Sequence, residues 1–431
     1  MAGSKDKPMA DDSLLSDEFL RQLMAVEEAD LLVGIPTLNN SKTIAHVVQA
    51  VELGFAKFFP RERTVVVAAD GGSHDDTEEV VRNANLGDPH RMRAPQSLRT
   101  MHRIATRYPG PVNSRNVLRT ILAAADLVRA KACAVISPDL LSITPDWIES
   151  LLRPIYMEKY DLVTPLYLRR KFDGLLISNL VYPMVRAAYG LRLREPMAAE
   201  FAFSGKLASH LLEQGIAADQ QSPHSVGIWV TSRAICGGFG VGQCFLGPKV
   251  QAPGNSSSDI VATISGVVGD LFRSLEREEE FWIRETGSRP LPAFGLPYDV
   301  NLEPLRVNRK QMIQMFRTGV VELKDILKTI LREGTFAGLE GAADPRAESI
   351  PFPDELWVKT IYDFAGAFHR SVIHRDHILQ ALVPLYRGRV AAFTQELAGA
   401  DETQVDAAIE NLCLAYEQLK PYWIESWKIH Q

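Results

Sequence analysis

The feature that most constrains this chain is a series of short apolar runs, each ended by a polar or proline-bearing loop. Leu31 to Pro36, Thr64 to Ala69, Ala132 to Ile136 and Asp161 to Pro165 have the length and β-branched content of buried strands. Between them, Ser41 to Phe58, the stretch opened by Ser73-His74-Asp75-Asp76, and Asn116 to Val128 carry helical spacing. Strands alternating with helices predict an α/β fold with a parallel sheet and right-handed crossovers. Ligands of such sheets gather beyond the carboxyl ends of the strands. Pro36 to Asn40, Asp70 to Asp76 and Ser137 to Asp139 are therefore predicted to open on one edge.

A chain of 431 residues is long for one core. The pattern divides it into a polar leader over 1–28, predicted to be flexible, a ligand-binding α/β domain over 29–260, and a mainly helical region over 261–431. The leader has no apolar segment of the secretory kind. No run reaches the roughly 18–20 apolar residues of a membrane span, so the expectation is a cytoplasmic protein with no membrane span. A net charge of −6 excludes the basic field of non-specific nucleic-acid binding. Cys133, Cys236, Cys244 and Cys413 match neither a zinc site nor a disulfide framework, and Cys133 reads as a small buried residue. Trp357, Tyr362, Phe364 and Phe368 follow helical spacing and are predicted core. Lys310 to Leu331 and Trp357 to Phe393 offer apolar surface for a homodimer.

Each motif has a functional and a plain reading. Asp70-Gly71-Gly72-Ser73 places a carboxylate near a base or ribose, with glycines permitting close backbone approach, or is an ordinary strand-to-helix turn. Asp139 is an oxygen ligand for Mg2+ or Mn2+ on a diphosphate, or caps the turn into Leu140. Arg169-Arg170-Lys171, between Tyr167 and Phe172, grips phosphate or an acidic acceptor, or is a solvated charge run. Glu200, in the apolar setting MAAEFAFS, needs a partner or a task. His224 is a ligand, a base or a plain loop histidine.

Together these landmarks resemble the mannosylglycerate and glucosylglycerate synthase group of retaining GT-A glycosyltransferases. The resemblance runs through GIPTLNN, AADGGSHDDT, SPDLLSITPDWI, PLYLRRKFDGLLISNLVYPMVRAAYG, EFAFSGKLA, GIWVTSRAICGGF, QCFLGPKV and VPLYRGRVAAF. It implies a GT-A, Rossmann-like fold and retaining transfer of a hexose from a nucleoside diphosphate sugar to glycerate, phosphoglycerate or a similar small acid, with Mg or Mn. By position, Pro36, Thr37, Asn39, Asp70 and Gly71 fall to the nucleotide pocket, and Asp139 to the second aspartate of the metal motif. Arg169, Lys171 and Asp173 fall to the sugar and acceptor segment, with Glu200 at the sugar hydroxyls.

Departures from that pattern cluster on the chemistry. Ser137 stands where an acidic residue is usual, and Ala198-Ala199-Glu200 where Gly-Gly-Asp is usual. Leu175 lies near an expected threonine, which suits a less polar acceptor. Gly227 stands where an aspartate is expected. Gln251 stands at the metal-ligand histidine and is a much weaker donor. Val112-Asn113-Ser114 replaces Gly-Lys-Gly, leaving Arg115 as the local cation. Two readings follow: an active hexosyltransferase with altered metal or acceptor dependence, or a catalytically degenerate paralogue acting as a binding or interaction subunit.

Overall fold

A computed structural model describes residues 15–84, 101–108, 111–215, 225–252, 259–297, 307–347 and 349–428. His224 lies outside the described residues. The chain forms two compact units that share it in alternating segments. The first holds Met1–Val163, Ala199–Val226 and Lys249–Ala252; the second holds Thr164–Ala198, Gly227–Pro248 and Pro253–Gln431. The expected single boundary at residue 260 is thus replaced by several crossings.

The first unit contains α1 (Asp17–Val26), β1 (Leu31–Thr37), α2 (Ile44–Phe58), β2 (Thr64–Asp70), α3 (Thr77–Asn83), β3 (Met101–Arg107), α4 (Ser114–Leu127), β4 (Ala132–Val135) and α5 (Pro145–Tyr156). The chain leaves this unit inside β5 (Leu162–Leu168), passes a π-helical turn (Ile177–Val181) and α6 (Tyr182–Tyr189), and returns with β6 (Phe201–Ser204) and α7 (Gly205–Gln214). Strands β3, β2, β1 and β4 are parallel neighbours in that order, and β6 closes the far side of β4 antiparallel. The α/β expectation holds, with two strands added, β3 and the antiparallel β6. β3 escaped the periodicity because His102, Arg103 and Arg107 interrupt its apolar residues. It is tolerated as an edge strand, with Arg103 donating to the buried Glu52 from Nε at 2.7 Å.

Leu31, Leu32, Val33, Val65, Val66 and Val67 have no exposed surface, so β1 and β2 are buried on both faces as parallel strands require. Each such side chain contributes about 1.5–3 kcal/mol by leaving water. Helix α4 lies directly on β1: a Cβ at Gly34 would fall 2.5 Å from Ile121 Cγ2. The leader is helical in its second half. Ser16 accepts from the Phe19 amide at 3.3 Å to cap α1, whose Phe19, Leu23 and Val26 are buried.

The second unit is mostly helical. Trp357, Tyr362, Phe364 and Phe368 are fully buried, as their spacing predicts. So are Phe316, Leu382 and Leu385, which removes much of the apolar surface expected for a homodimer. The π-helical turn frees the Asn179 carbonyl, which accepts from Trp357 Nε1 at 2.7 Å; its side-chain oxygen accepts from Arg389 Nε at 3.1 Å. Arg186 on α6 has no exposed side-chain surface and is neutralised by Glu410 and Glu417, each at 2.6 Å. All four cysteines are free, and Cys133 is buried as expected. No helix among the described residues is long and apolar enough to cross a membrane.

Candidate nucleotide and diphosphate site

Register puts the polar loops together. β1 pairs Thr37 with Asp70 of β2 and Gly34 with Val135 of β4. Neighbouring strands stand about 4.8 Å apart, so the loops after β2 and β4 lie about 10 Å apart laterally across β1, the β4 loop starting three residues further back.

The loops after β1 and β2 are laced by hydrogen bonds. Thr37 Oγ1 donates to Asp70 Oδ1 at 3.0 Å, and Ser73 Oγ donates to the same oxygen at 2.5 Å. The Gly72 and Ser73 amides each donate to Asp70 Oδ2 at 2.7 Å. These four bonds occupy the acceptor capacity of a carboxylate that is only 4% exposed. Asp70, expected to line the nucleotide pocket, instead spends its oxygens on shaping the loop. Asn39 takes a left-handed φ of 56°, donates its amide to Ser73 Oγ at 2.8 Å, and accepts from the His74 amide at 2.9 Å. Burial acts to raise the Asp75 carboxyl, but donors on Thr77 and Ser41 outweigh it and hold it at about 2. Because this folded value lies below the ordinary 3.8, Asp75's support of the loop is present above pH 3.8 and disappears as pH falls through about 2.

Gly71 is buried, and its surroundings leave little room for a side chain. A Cβ there would meet Val112 Cγ1 at 3.0 Å, Tyr108 Oη at 3.1 Å and Leu38 Cδ1 at 3.4 Å. Leu38 and Val112 are 44% and 54% exposed, an apolar pair packed over this turn. Arg115 stands in the first turn of α4, and its Nε is buried with no hydrogen-bond partner among the described residues.

The loop after β4 meets residues 249–252. Leu140 and Gln251 form an antiparallel bridge, and the Ala252 amide donates to the Asp139 carbonyl at 2.9 Å. Gln251 Nε2 consequently reaches Asp139 Oδ1 at 3.1 Å, bringing together the two expected metal ligands. Among the described residues no group of three or more His, Cys, Asp or Glu could hold a metal ion. A half-exposed carboxylate beside an amide that can turn its oxygen outward fits a cation of another kind, one whose remaining positions are filled by phosphate oxygens and water.

Glu200 was expected at the sugar. It is instead fully buried: Ser137 Oγ donates to its Oε1, and Lys249 Nζ bonds its Oε2 at 2.8 Å. Lys249 is the polar residue that sequence reasoning missed. The signal for it was the buried carboxylate itself, which calls for a cation, but the two lie far apart in the chain.

Arg169, Lys171 and Asp173 share the lining of a cavity in the second unit with Leu175, Arg194 and Glu402. Arg169 grips Glu195 with two 2.6 Å bonds, and Lys171 donates to the Ala398 and Ala400 carbonyls. Both cations are thus committed to partners within the second unit, and the turn beside them holds Phe172 and Gly174 at φ of 67° and 64°. The absent aspartate at 227 has a steric cause. A Cβ on Gly227 would lie 2.6 Å from the Met197 carbonyl carbon and 2.7 Å from the Ala198 oxygen, both backbone atoms. Gly227→Asp is expected to destabilise the protein by at least about 1–3 kcal/mol, read as a lower urea midpoint.

No protein-family model matches the chain, and no curated protein matches it. Among solved structures it is similar to glucosyl-3-phosphoglycerate synthase from Mycobacterium tuberculosis. The complex of that enzyme with phosphoglyceric acid is 18% identical, with a TM-score of 0.43, over 59% of this chain and 83% of that one. The complex with Mn2+, UDP-glucose and phosphoglyceric acid is 19% identical, with a TM-score of 0.42, over 60% and 84%. The complex with Mg2+ and UDP is 19% identical, with a TM-score of 0.43, over 59% and 83%.

Proposed function

We propose that the chain is a hexosyltransferase that uses a nucleoside diphosphate sugar and a small hydroxy acid, with retention at the sugar. One observation carries this reading: Asp139 and Gln251 meet on the same sheet edge as the laced loops of Thr37, Asn39 and Asp70. A parallel sheet presents its ligand at that edge, and a diphosphate is the group for which one carboxylate suffices to hold a cation.

In this reading Pro36, Thr37, Asn39 and Gly71 line the nucleoside, Leu38 and Val112 enclose it, and Arg115 meets the phosphates. Asp70 keeps the loop in shape. Asp139 and Gln251 hold Mg or Mn, which when bound supplies positive charge to the departing diphosphate. Retention is met by front-face attack: the acceptor hydroxyl oxygen bonds to the anomeric carbon as the bond to phosphate breaks, and the hydroxyl proton passes to the leaving phosphate oxygen. No protein nucleophile is required. Arg169, Lys171 and Asp173 shape the acceptor segment, and Leu175 gives it an apolar wall.

Calorimetric titration with UDP, GDP and ADP, each with and without Mn2+, tests the donor. Tightening of one diphosphate by Mn2+ is the expected result; no binding of any of them refutes the reading. Product formation with glycerate or phosphoglyceric acid then tests the acceptor. The single carboxylate at the metal position favours a second reading, a binding subunit without turnover. Tight nucleotide binding with no transfer to any acceptor would establish it.

A further inference from the structure

Ser137, Glu200 and Lys249 form a row with a direction. Glu200 has no exposed surface, Ser137 is 8% exposed, and the Lys249 side chain is 21% exposed. A carboxylate shut away from water stays ionised only beside a fixed cation. The serine hydroxyl orients one oxygen and the lysine neutralises the other, so the buried end of the row is balanced and its partly exposed end is the lysine side chain.

Lys249 is also held by its backbone. The segment that follows it is clamped to the loop after β4: the Leu141 amide donates to the Val250 carbonyl at 2.9 Å, and the Val250 amide to Ser142 Oγ at 3.0 Å. Lys249 precedes Gln251 by two residues on this extended segment, and such side chains share a face about 7 Å apart. One side chain reaches the Ser137–Glu200 pair and the other reaches Asp139. The cation therefore stands on the same segment and the same face as Gln251, the partner of the cation-binding carboxylate.

We propose that Lys249, aimed by Glu200 and Ser137, is a built-in cation for the diphosphate of the nucleotide, acting alongside the metal ligands and independently of them. This rests on the donor reading above. It assigns Glu200 and Ser137 as positioning residues rather than sugar contacts. An ammonium serves this purpose as a point charge with several donors, whatever base the nucleotide carries.

The test is calorimetry on the full-length chain with UDP, GDP, ADP and the matching monophosphates, in EDTA and in Mn2+. The wild type is expected to retain measurable diphosphate affinity in EDTA. Lys249→Met is expected to weaken that affinity about ten-fold or more, with little change for the monophosphate, while Lys249→Arg restores most of it. Because Lys249→Met strands the Glu200 carboxylate, the double variant Glu200→Gln/Lys249→Met is measured beside it. It removes both charges together and is expected to fold and to show the same diphosphate-selective loss. Unchanged diphosphate binding in the double variant overturns the proposal, as does an equal loss for mono- and diphosphate. Absence of any nucleotide binding by the wild type is a different result, which refutes the donor reading itself.

Discussion

Asp139→Ala is expected to lower hexosyl transfer by about a hundred- to a thousand-fold and to abolish the tightening of nucleotide binding by Mn2+. The size follows from the donor set. Asp139 is the carboxylate of a two-residue pair, and its partner Gln251 is neutral. Once the aspartate is gone, the phosphates and water alone hold the cation. Folding should survive, because the backbone carbonyl of residue 139 still accepts from the Ala252 amide and the side chain is half-exposed. Asp139→Asn separates charge from shape: it keeps an oxygen for Gln251 and should behave like alanine toward Mn2+. Gln251→His runs the other way, since imidazole is the better donor, and should tighten Mn2+. If Asp139→Ala leaves the Mn2+ response intact, the metal has been put on the wrong residues.

The largest effect on stability is expected at Arg186. Its guanidinium is fully buried and meets Glu410 through two bonds of 2.6 and 2.8 Å, Glu417 at 2.6 Å and Ser288 at 2.9 Å. Arg186→Met removes the cation and leaves two carboxylates facing each other, one of them only 14% exposed. Breaking a buried pair from one side costs about 3–5 kcal/mol, which urea unfolding would register as a shifted midpoint. Acid should act on the same contact. The hydrogen bond from Arg186 lowers the Glu410 carboxyl below its ordinary 4.5, so its contribution is full above that pH and fades as pH falls through the lowered value. The wild type should therefore lose stability below about pH 4.5 more steeply than Arg186→Met, which has already forfeited the pair.

The parts of the molecule that were legible in sequence are those whose cause is local. β1, β2 and β4 announce themselves as apolar runs, and the loops that follow them must share an edge once the strands are parallel. β3 was missed because an edge strand has no need to be apolar throughout, and Arg103 has its partner on α2 rather than nearby. The meeting of Asp139 with Gln251 was foreseen from motif resemblance, and the bridge at Leu140 supplies its physical basis. Glu200 was recognised as a residue in need of a partner, yet its partners stand 63 and 49 positions away. Asp70 illustrates the opposite failure. Its position suggested ligand contact, and only the four bonds around it reveal a carboxylate already in use.

The alternation of the two units along the chain governs how the protein is made. β4 is translated well before β6, its outer neighbour, and the second-unit segment Thr164–Ala198 lies between them. At about 5–20 residues per second, a nascent chain carries an open strand edge for several seconds. No single cut releases either unit. A product ending at residue 163 has no Phe201–Ser204 to cover β4, and it lacks both Glu200 and Lys249. One ending at residue 252 has all of the first unit, but also two stretches of the second without the helices they pack with. Fragment screens and fusion junctions should therefore treat the chain as indivisible, and slowed translation before residue 204 should raise the insoluble fraction.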